Sequence, residues 1–229
     1  MKARHITPAL LTFGLVMAGC AGEQAEDAAE GPGQNYPNIA TTIEFENDQV
    51  VVQTLSSQAG VWAGEHGHDG NQLAIALTGI TQTYRVDGND TDVTYADGEA
   101  FWVDAIETHD HMVEAGGVEA IMVTLKELKA GMGTGQMYPN SDPTVVFEND
   151  YVIVQKVTAE PGQWVGEHTH AGNQIAVVLS GGSTTYSVDG EETEVSREDG
   201  DVFWVEATTH DHSTSGDTAT EALLVTLKG

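Results

Sequence analysis

A single cysteine, eight basic residues and no sustained helical pattern mark this chain of 229 residues by what it lacks. Cys20 has no second cysteine to pair with, so no intramolecular disulfide can form. With Lys and Arg at 8 against Asp and Glu at 36, the formal net charge is −28. That balance offers no basic face for phosphates and excludes nucleic acid as a partner. It describes a solvated, self-repelling surface suited to salty surroundings. The apolar run from Pro8 to Ala18 is too short to span a bilayer as a folded helix. No stretch combines a 3.6-residue apolar period with caps, so the chain reads as all-β.

What is present begins with a leader. Lys2 and Arg4 precede the apolar run, small residues follow it, and the run Met17-Ala18-Gly19-Cys20 resembles the lipobox of bacterial lipoproteins, with Met17 where Leu is usual. The resemblance implies a signal peptide over 1–19 and a lipid on Cys20, the alternative being an ordinary secretory peptide with a leftover thiol. Residues 20–40 hold little to bury and read as a flexible tether. The implied location is the periplasmic or extracellular side of a bacterial cell envelope, held to the membrane by that lipid.

From Ile43 onward the chain can be laid on itself with an offset of 102 residues. Phe45-Glu46-Asn47-Asp48 matches Phe147 to Asp150, Val86-Asp87-Gly88 matches Val188 to Gly190, and Phe101-Trp102-Val103 matches Phe203 to Val205. This is a tandem duplication, with domains expected at 41–126 and 144–229 and a Gly- and Pro-bearing linker at 127–143. Short runs rich in Val, Ile, Thr and aromatics (Val50 to Leu55, Leu73 to Leu77, Thr81 to Val86, Phe101 to Val103, Ile121 to Leu125) predict strands, about eight per half, in a jelly-roll barrel. Asp87-Gly88 and Asp189-Gly190 predict type I′ hairpin turns.

The histidines carry the chemistry. Outside the leader they fall in two places per half: His66 and His68, matched by His168 and His170, and His109 and His111, matched by His210 and His212. On an extended strand, residues two and four apart share a face, so His66, His68 and Gln72 point one way, as do His168, His170 and Gln174. Glu65 and Glu167 have the opposite parity and face away. Clustered imidazoles suit divalent transition metals; the plainer reading is hydrogen-bonded barrel residues without a metal.

Each half resembles a cupin. Gly60, His66, His68 and Gly79, and Gly162, His168, His170 and Gly181, follow the first cupin motif, with Gln72 and Gln174 where that motif has Glu. In the second motif Gly98 and His109 keep the spacing, with Asp104, Ile106 and Val113 replacing its Pro, Gly and Asn; Gly200 to His210 is one residue short. The resemblance implies two tandem double-stranded β-helix (jelly-roll) barrels. It also implies one metal on His66, His68, Gln72 and His109 and a second on His168, His170, Gln174 and His210, with His111 and His212 as competing ligands or as catalytic acids or bases. The first site is expected to be the more regular, the second to be weaker or to use His212.

An amide oxygen cancels none of the metal's charge, so such a site polarises an oxygen ligand strongly. Fe, Mn, Ni, Zn and Cu all suit the donors. The expected activity is that of a metal-dependent enzyme on a small oxygenated organic molecule, a dioxygenase or a lyase, isomerase or decarboxylase. The alternative is a non-catalytic envelope protein that captures a metal or small ligand. Trp62, Trp164, Trp102 and Trp204 read as core or pocket wall, and Tyr84 and Tyr186 as packing residues able to offer a phenol. Arginine is confined to Arg4, Arg85 and Arg197, which weakens a reading of oxalate as substrate. A homodimer is possible, or the halves satisfy each other as an internal pseudo-dimer.

Overall fold

The computed structural model describes residues 35–68, 71–114 and 118–229, the side chains of 118 and 119 excepted. The leader, Cys20 and the tether as far as residue 34 lie outside these residues, as do Asp69 and Gly70 of the loop before Gln72. Among the described residues there are eighteen strands and no helix, nine strands in each half.

In the first half these are β1 (Ala40–Glu46), β2 (Val50–Ser57), β3 (His66–His68), β4 (Gln72–Ala76), β5 (Ile80–Val86), β6 (Asn89–Tyr95), β7 (Ala100–Val103), β8 (Ile106–Val113) and β9 (Val118–Leu125). The second half repeats them as β10 (Thr144–Glu148), β11 (Val152–Ala159), β12 (His168–Thr169), β13 (Gln174–Ser180), β14 (Gly182–Val188), β15 (Glu191–Arg197), β16 (Val202–Val205), β17 (Thr209–Thr214) and β18 (Thr220–Leu227). Each half pairs a five-stranded sheet, β1-β2-β9-β4-β7 or β10-β11-β18-β13-β16, with a four-stranded one, β3-β8-β5-β6 or β12-β17-β14-β15. These are two all-β jelly-roll barrels of one topology. At the predicted hairpins Asp87 and Gly88 have φ of 51° and 73°, and Asp189 and Gly190 of 52° and 81°, the paired positive values a type I′ turn requires.

The inner strands β2, β4, β11 and β13 of the five-stranded sheets are buried on both faces, which is why β4 and β13 read as nearly unbroken apolar runs and β2 and β11 open on three apolar residues, while the edge strands β1 and β10 are largely exposed. Val50, Val52, Leu73, Ile75 and Val123 point out of the first barrel and join Val152, Val154, Ile175, Val177 and Val225 of the second in one apolar cluster. Each such side chain contributes roughly 1.5–3 kcal/mol on burial. The two halves are thus joined sheet face to sheet face. Trp102 stacks near Tyr151 (centroids 5.8 Å apart), Phe45 meets Trp204 edge-on (6.3 Å), and Gln49 Nε2 donates to Asn173 Oδ1 at 2.9 Å along the same junction.

The alternate residues turn inward. Leu55, Ala74 and Met122 line the first barrel, and Val157, Ala176 and Leu224 the second. Two inward residues come from stretches expected to be surface chain. Tyr36, placed by sequence in the tether, is 3% exposed, and Tyr138, placed in the linker, is 8% exposed. Both belong to the barrel interiors, each drawn in by a ring that has a cavity to fill.

Candidate metal centres

Each centre is assembled from the short first strand of the four-stranded sheet, the strand paired with it, and one residue of the facing sheet. His66 on β3 lies opposite His109 on β8, and His168 on β12 opposite His210 on β17. Gln72 and Gln174 open β4 and β13. All eight predicted ligand side chains are buried, and Glu65 and Glu167 are exposed, as strand parity requires.

The hydrogen bonds decide which ring nitrogen faces the centre. His66 Nδ1 donates to the Gly64 carbonyl at 2.6 Å, and His168 Nδ1 to Gly166 at 2.8 Å. Gln174 Nε2 donates to Thr226 Oγ1 at 3.0 Å, which leaves its Oε1 to accept from His170 Nδ1 at 2.7 Å. Gln72 repeats this between Thr124 Oγ1 (2.8 Å) and His68 Nδ1. The amide oxygens expected among the metal ligands are therefore engaged by imidazole in this structure. Both rings of each His-x-His pair are held with Nδ1 protonated and the Nε2 lone pair inward.

Those lone pairs meet. His168 Nε2 is 3.0 Å from His170 Nε2, and His68 Nε2 is 3.3 Å from His109 Nε2. His66 Nε2 is sealed from solvent with no hydrogen-bond partner, as are the Nδ1 atoms of His109, His111 and His212. In the second barrel both rings carry their proton on Nδ1, so two lone pairs face each other and repel unless a cation lies between them; in the first no hydrogen bond fixes the His109 tautomer, and the buried nitrogens without partners are costly. The donor set therefore fits a metal ion. Two groups bring one nitrogen from each member within 4.8 Å of the others: His66, His109 and His111 in the first barrel, and His168, His170 and His210 in the second.

Protonation supports this. Burial, then repulsion from neighbouring imidazoles, lowers His109, His111 and His212 to about 3 and His210 to about 4. Burial likewise brings His68 to about 4 against the hydrogen bond it donates to Gln72, and lowers His66, His168 and His170. The cluster is neutral near pH 7, with its lone pairs available.

The expectation that the first site is the more regular is reversed. Its extra residue between Gly98 and His109 forms a β-bulge, so that His66 pairs with His109 but His68 with Ile106. Gly67 accommodates the bulge, since a side chain there would collide with the Glu107 backbone. In the second barrel Thr169 follows in register opposite Thr209, their hydroxyls 2.8 Å apart.

Several site residues escaped the sequence reading. Tyr36 lies edge-on to His66 at 4.7 Å, and Tyr138 to His168 at 4.5 Å. Asn38 donates to the Ala63 and Trp62 carbonyls and Asn140 to those of Val165 and Trp164, pinning each Tyr-Pro-Asn strap across its barrel. Pro37 and Pro139 rest on Gly64 (φ 89°) and Gly166 (φ 91°), where a Cβ would come within 2.9 and 2.7 Å of the proline Cβ. The signal was available, because Tyr36-Pro37-Asn38 and Tyr138-Pro139-Asn140 keep the 102-residue offset. Asp110 and Asp211, between the histidines of the second cluster, accept from Gly64 and Gly166 N–H at 2.9 and 2.8 Å and so position the loops that carry His66 and His168.

Beside the histidines lie cavities of about 290 Å³ in the first barrel, bordered by His109, Tyr84, Tyr95 and Phe101, and about 270 Å³ in the second, bordered by His170, His210, His212, Tyr186 and Arg197. Burial raises Tyr36, Tyr84 and Tyr138 above the ordinary phenol range, so these hydroxyls stay protonated and can donate.

A family model for the cupin domain matches residues 155–226. Among solved structures the chain is similar to AerE from Microcystis aeruginosa, with 11% identity, a TM-score of 0.60, and coverage of 86% of this chain and 96% of that one. It is also similar to a cupin 2 conserved barrel domain protein from Leptotrichia buccalis (13% identity, TM-score 0.52, covering 86% and 92%) and to oxalate decarboxylase from Bacillus subtilis (13% identity, TM-score 0.57, covering 79% and 68%). At these identities the likeness is one of fold. No curated protein matches the sequence.

Proposed function

We propose that this chain is a bicupin, one barrel built by each half, which binds a divalent transition metal in each barrel and works as a metal-dependent enzyme on a small oxygenated organic molecule. Iron, manganese, nickel, zinc and copper all suit the donors. The observation that carries the reading is the facing pair of Nε2 lone pairs of His168 and His170 in the second barrel, with the close approach of His68 and His109 Nε2 in the first, each beside a cavity.

When bound, the metal would polarise substrate oxygens as a Lewis acid or support oxygen chemistry. His168, His170 and His210 would hold it in the second barrel, and His66, His109 and His111, with His68 beside them, in the first. Gln72 and Gln174 would orient rather than ligate: each fixes the tautomer of its histidine and is itself held by a threonine. His212, outside the second triad and on the cavity wall, would take or return a substrate proton. The Tyr36 and Tyr138 phenols would donate hydrogen bonds to a substrate oxygen. The apolar walls around Phe101 and Phe203 exclude water.

We also place the protein at the bacterial cell envelope through a lipid on Cys20, an assignment resting on the leader alone. Intact-mass measurement showing an unmodified Cys20 would remove it. For the centres, metal analysis of the purified chain should give two equivalents. Oxygen uptake or product formation with diols, enols and hydroxy acids then separates the enzyme from a mere binding protein. A protein that takes up no transition metal would overturn the reading.

A further inference from the structure

Six basic residues lie in the described part of the chain, and five of them sit on carboxylates. Arg85 pairs with Asp90 at 2.7 Å, Lys126 with Glu46 at 2.5 Å, Lys129 with Glu127 at 2.6 Å, Lys156 with Glu221 at 2.9 Å and Lys228 with Glu148 at 2.7 Å. Among the described residues Arg197 is the one cation with no such partner, in a chain with 36 acidic residues. Its guanidinium lies 3.6 Å over the Phe203 ring, and its Nε is sealed from solvent with no hydrogen bond. A half-buried guanidinium with an unmet donor is costly unless an anion completes it.

The place where it is left open is informative. Arg197 borders the cavity of about 270 Å³ that also meets His170, His210 and His212. It ends β15 opposite Gly182. Glu206 borders the cavity too but is exposed and makes no ion pair with Arg197, and Glu221 is taken by Lys156. The equivalent register position in the first barrel, opposite Ile80, holds Tyr95, stacked on Phe101 at 3.7 Å. That neutral ring fills the place of the cation.

We propose that the second barrel receives the carboxylate of a small organic acid, with Arg197 as its forked partner and the histidine cluster beside the rest of the molecule, and that the first barrel has no such anion site. The proposal deepens the reading of the clusters as metal centres, but the carboxylate contact belongs to Arg197. A planar guanidinium offers two parallel N–H donors to one carboxylate and excludes neutral isosteres by leaving itself unpaired. The cavity lies at the small end of ligand pockets, and its walls of Phe203, Tyr138 and Tyr186 favour a compact, partly apolar acid.

The test is calorimetric titration of the full chain, both metal-stripped and zinc-loaded, with benzoate and its neutral isostere benzamide. Benzoate should bind at least tenfold more tightly than benzamide in both forms, with one equivalent per chain. Arg197→Gln should remove that preference and leave benzamide unchanged, and Arg197→Lys, which keeps the charge and loses the fork, should retain part of it. Equal binding of the two probes by the unaltered protein overturns the proposal even if Arg197→Gln fails to fold. Preference seen only with zinc and unaffected in Arg197→Gln also overturns it, because the metal would then hold the carboxylate. Preference that needs Arg197 in a protein that takes up neither zinc nor any other of these transition metals would sink the metal reading and leave this one standing.

Discussion

The two barrels share a frame and differ at its contents. Both fold the same nine strands in the same order, hold the same pair of Nδ1-anchored imidazoles and carry the same Tyr-Pro-Asn strap. One extra residue opens a bulge over Gly67 in the first, where the second keeps Thr169 in register with Thr209. One exchange puts Tyr95 where the other has Arg197. Core positions answer to both the barrel interior and the sheet junction, so they have little freedom to vary. The second cluster of histidines and the mouth of each cavity answer to fewer neighbours, and the halves diverge there.

The most drastic way to break the comparison is to empty one barrel. Replacing His168 and His170 together by Ala should cut metal content from two equivalents to one, and the same change at His66 and His68 should remove the other, read by elemental analysis of purified protein. A sharper version uses the bulge. His111→Ala should cost the first barrel most of its metal, because His111 belongs to that triad, while His212→Ala should leave occupancy of the second nearly intact. Equal losses from the two changes would show that the bulge does not alter ligand choice.

Acid should act on both barrels. His68 and His210 are lowered from 6.5 to about 4, and His109, His111 and His212 to about 3, so between those values and 6.5 the unfolded chain binds protons that the native chain refuses. Stability of the metal-stripped protein is therefore full above pH 6.5, falls as pH drops below it, and levels off near pH 3. Each such histidine contributes up to about 1.4 kcal/mol per pH unit in that window. Urea midpoints measured from pH 7.5 to 4.5 check this. Replacing His109 and His111 by Gln should flatten the profile, and an unchanged slope would mean that these rings are already solvated.

Much of this was legible in the chain. The tandem register, the Asp-Gly hairpins, the strand runs and the convergence of the His-x-His pairs follow from side-chain parity and turn chemistry, which act locally. What was not legible depends on contacts between segments far apart. Gln72 and Gln174 share parity with the histidines, but parity cannot tell a ligand from a neighbour. Thr124 and Thr226, 52 residues further on, hold the amides so that their oxygens face imidazole. Tyr36 and Tyr138 sit among residues whose composition suggests free chain, and only their shared offset betrays them. Arg197 is conspicuous only once every other described cation is seen to be paired.

The amides sharpen the comparison next. Gln174→Leu and Gln72→Leu would release the Nδ1 of His170 and His68, and with it the tautomer that aims Nε2 at the centre. Metal affinity should fall by about 10–100-fold, the usual range for loss of such a supporting contact. Gln→Glu at either position should instead raise affinity modestly, since a carboxylate makes the imidazole it accepts from more basic. Isothermal titration with zinc in single-barrel variants would read both effects. Unchanged affinity in the Leu variants would make the amides packing residues only.

The smallest expected difference lies in the straps. Tyr36 Oη is buried with no hydrogen-bond partner, which costs the ligand-free protein about 1–3 kcal/mol relative to a satisfied hydroxyl. Tyr36→Phe keeps the edge-on contact with His66 and removes that unmet group, so the ligand-free protein should become slightly more stable, by about 1 kcal/mol in urea denaturation. The hydroxyl of Tyr138 is not among the partnerless buried atoms, and Tyr138→Phe should be neutral or slightly destabilising. Turnover should move the other way, falling in the Phe variant of whichever barrel uses its phenol to hold a substrate oxygen. A variant that gains stability and loses activity would identify that hydroxyl as kept, at a cost to the fold, for the ligand. A gain in stability with activity intact would leave Tyr36 as a packing ring.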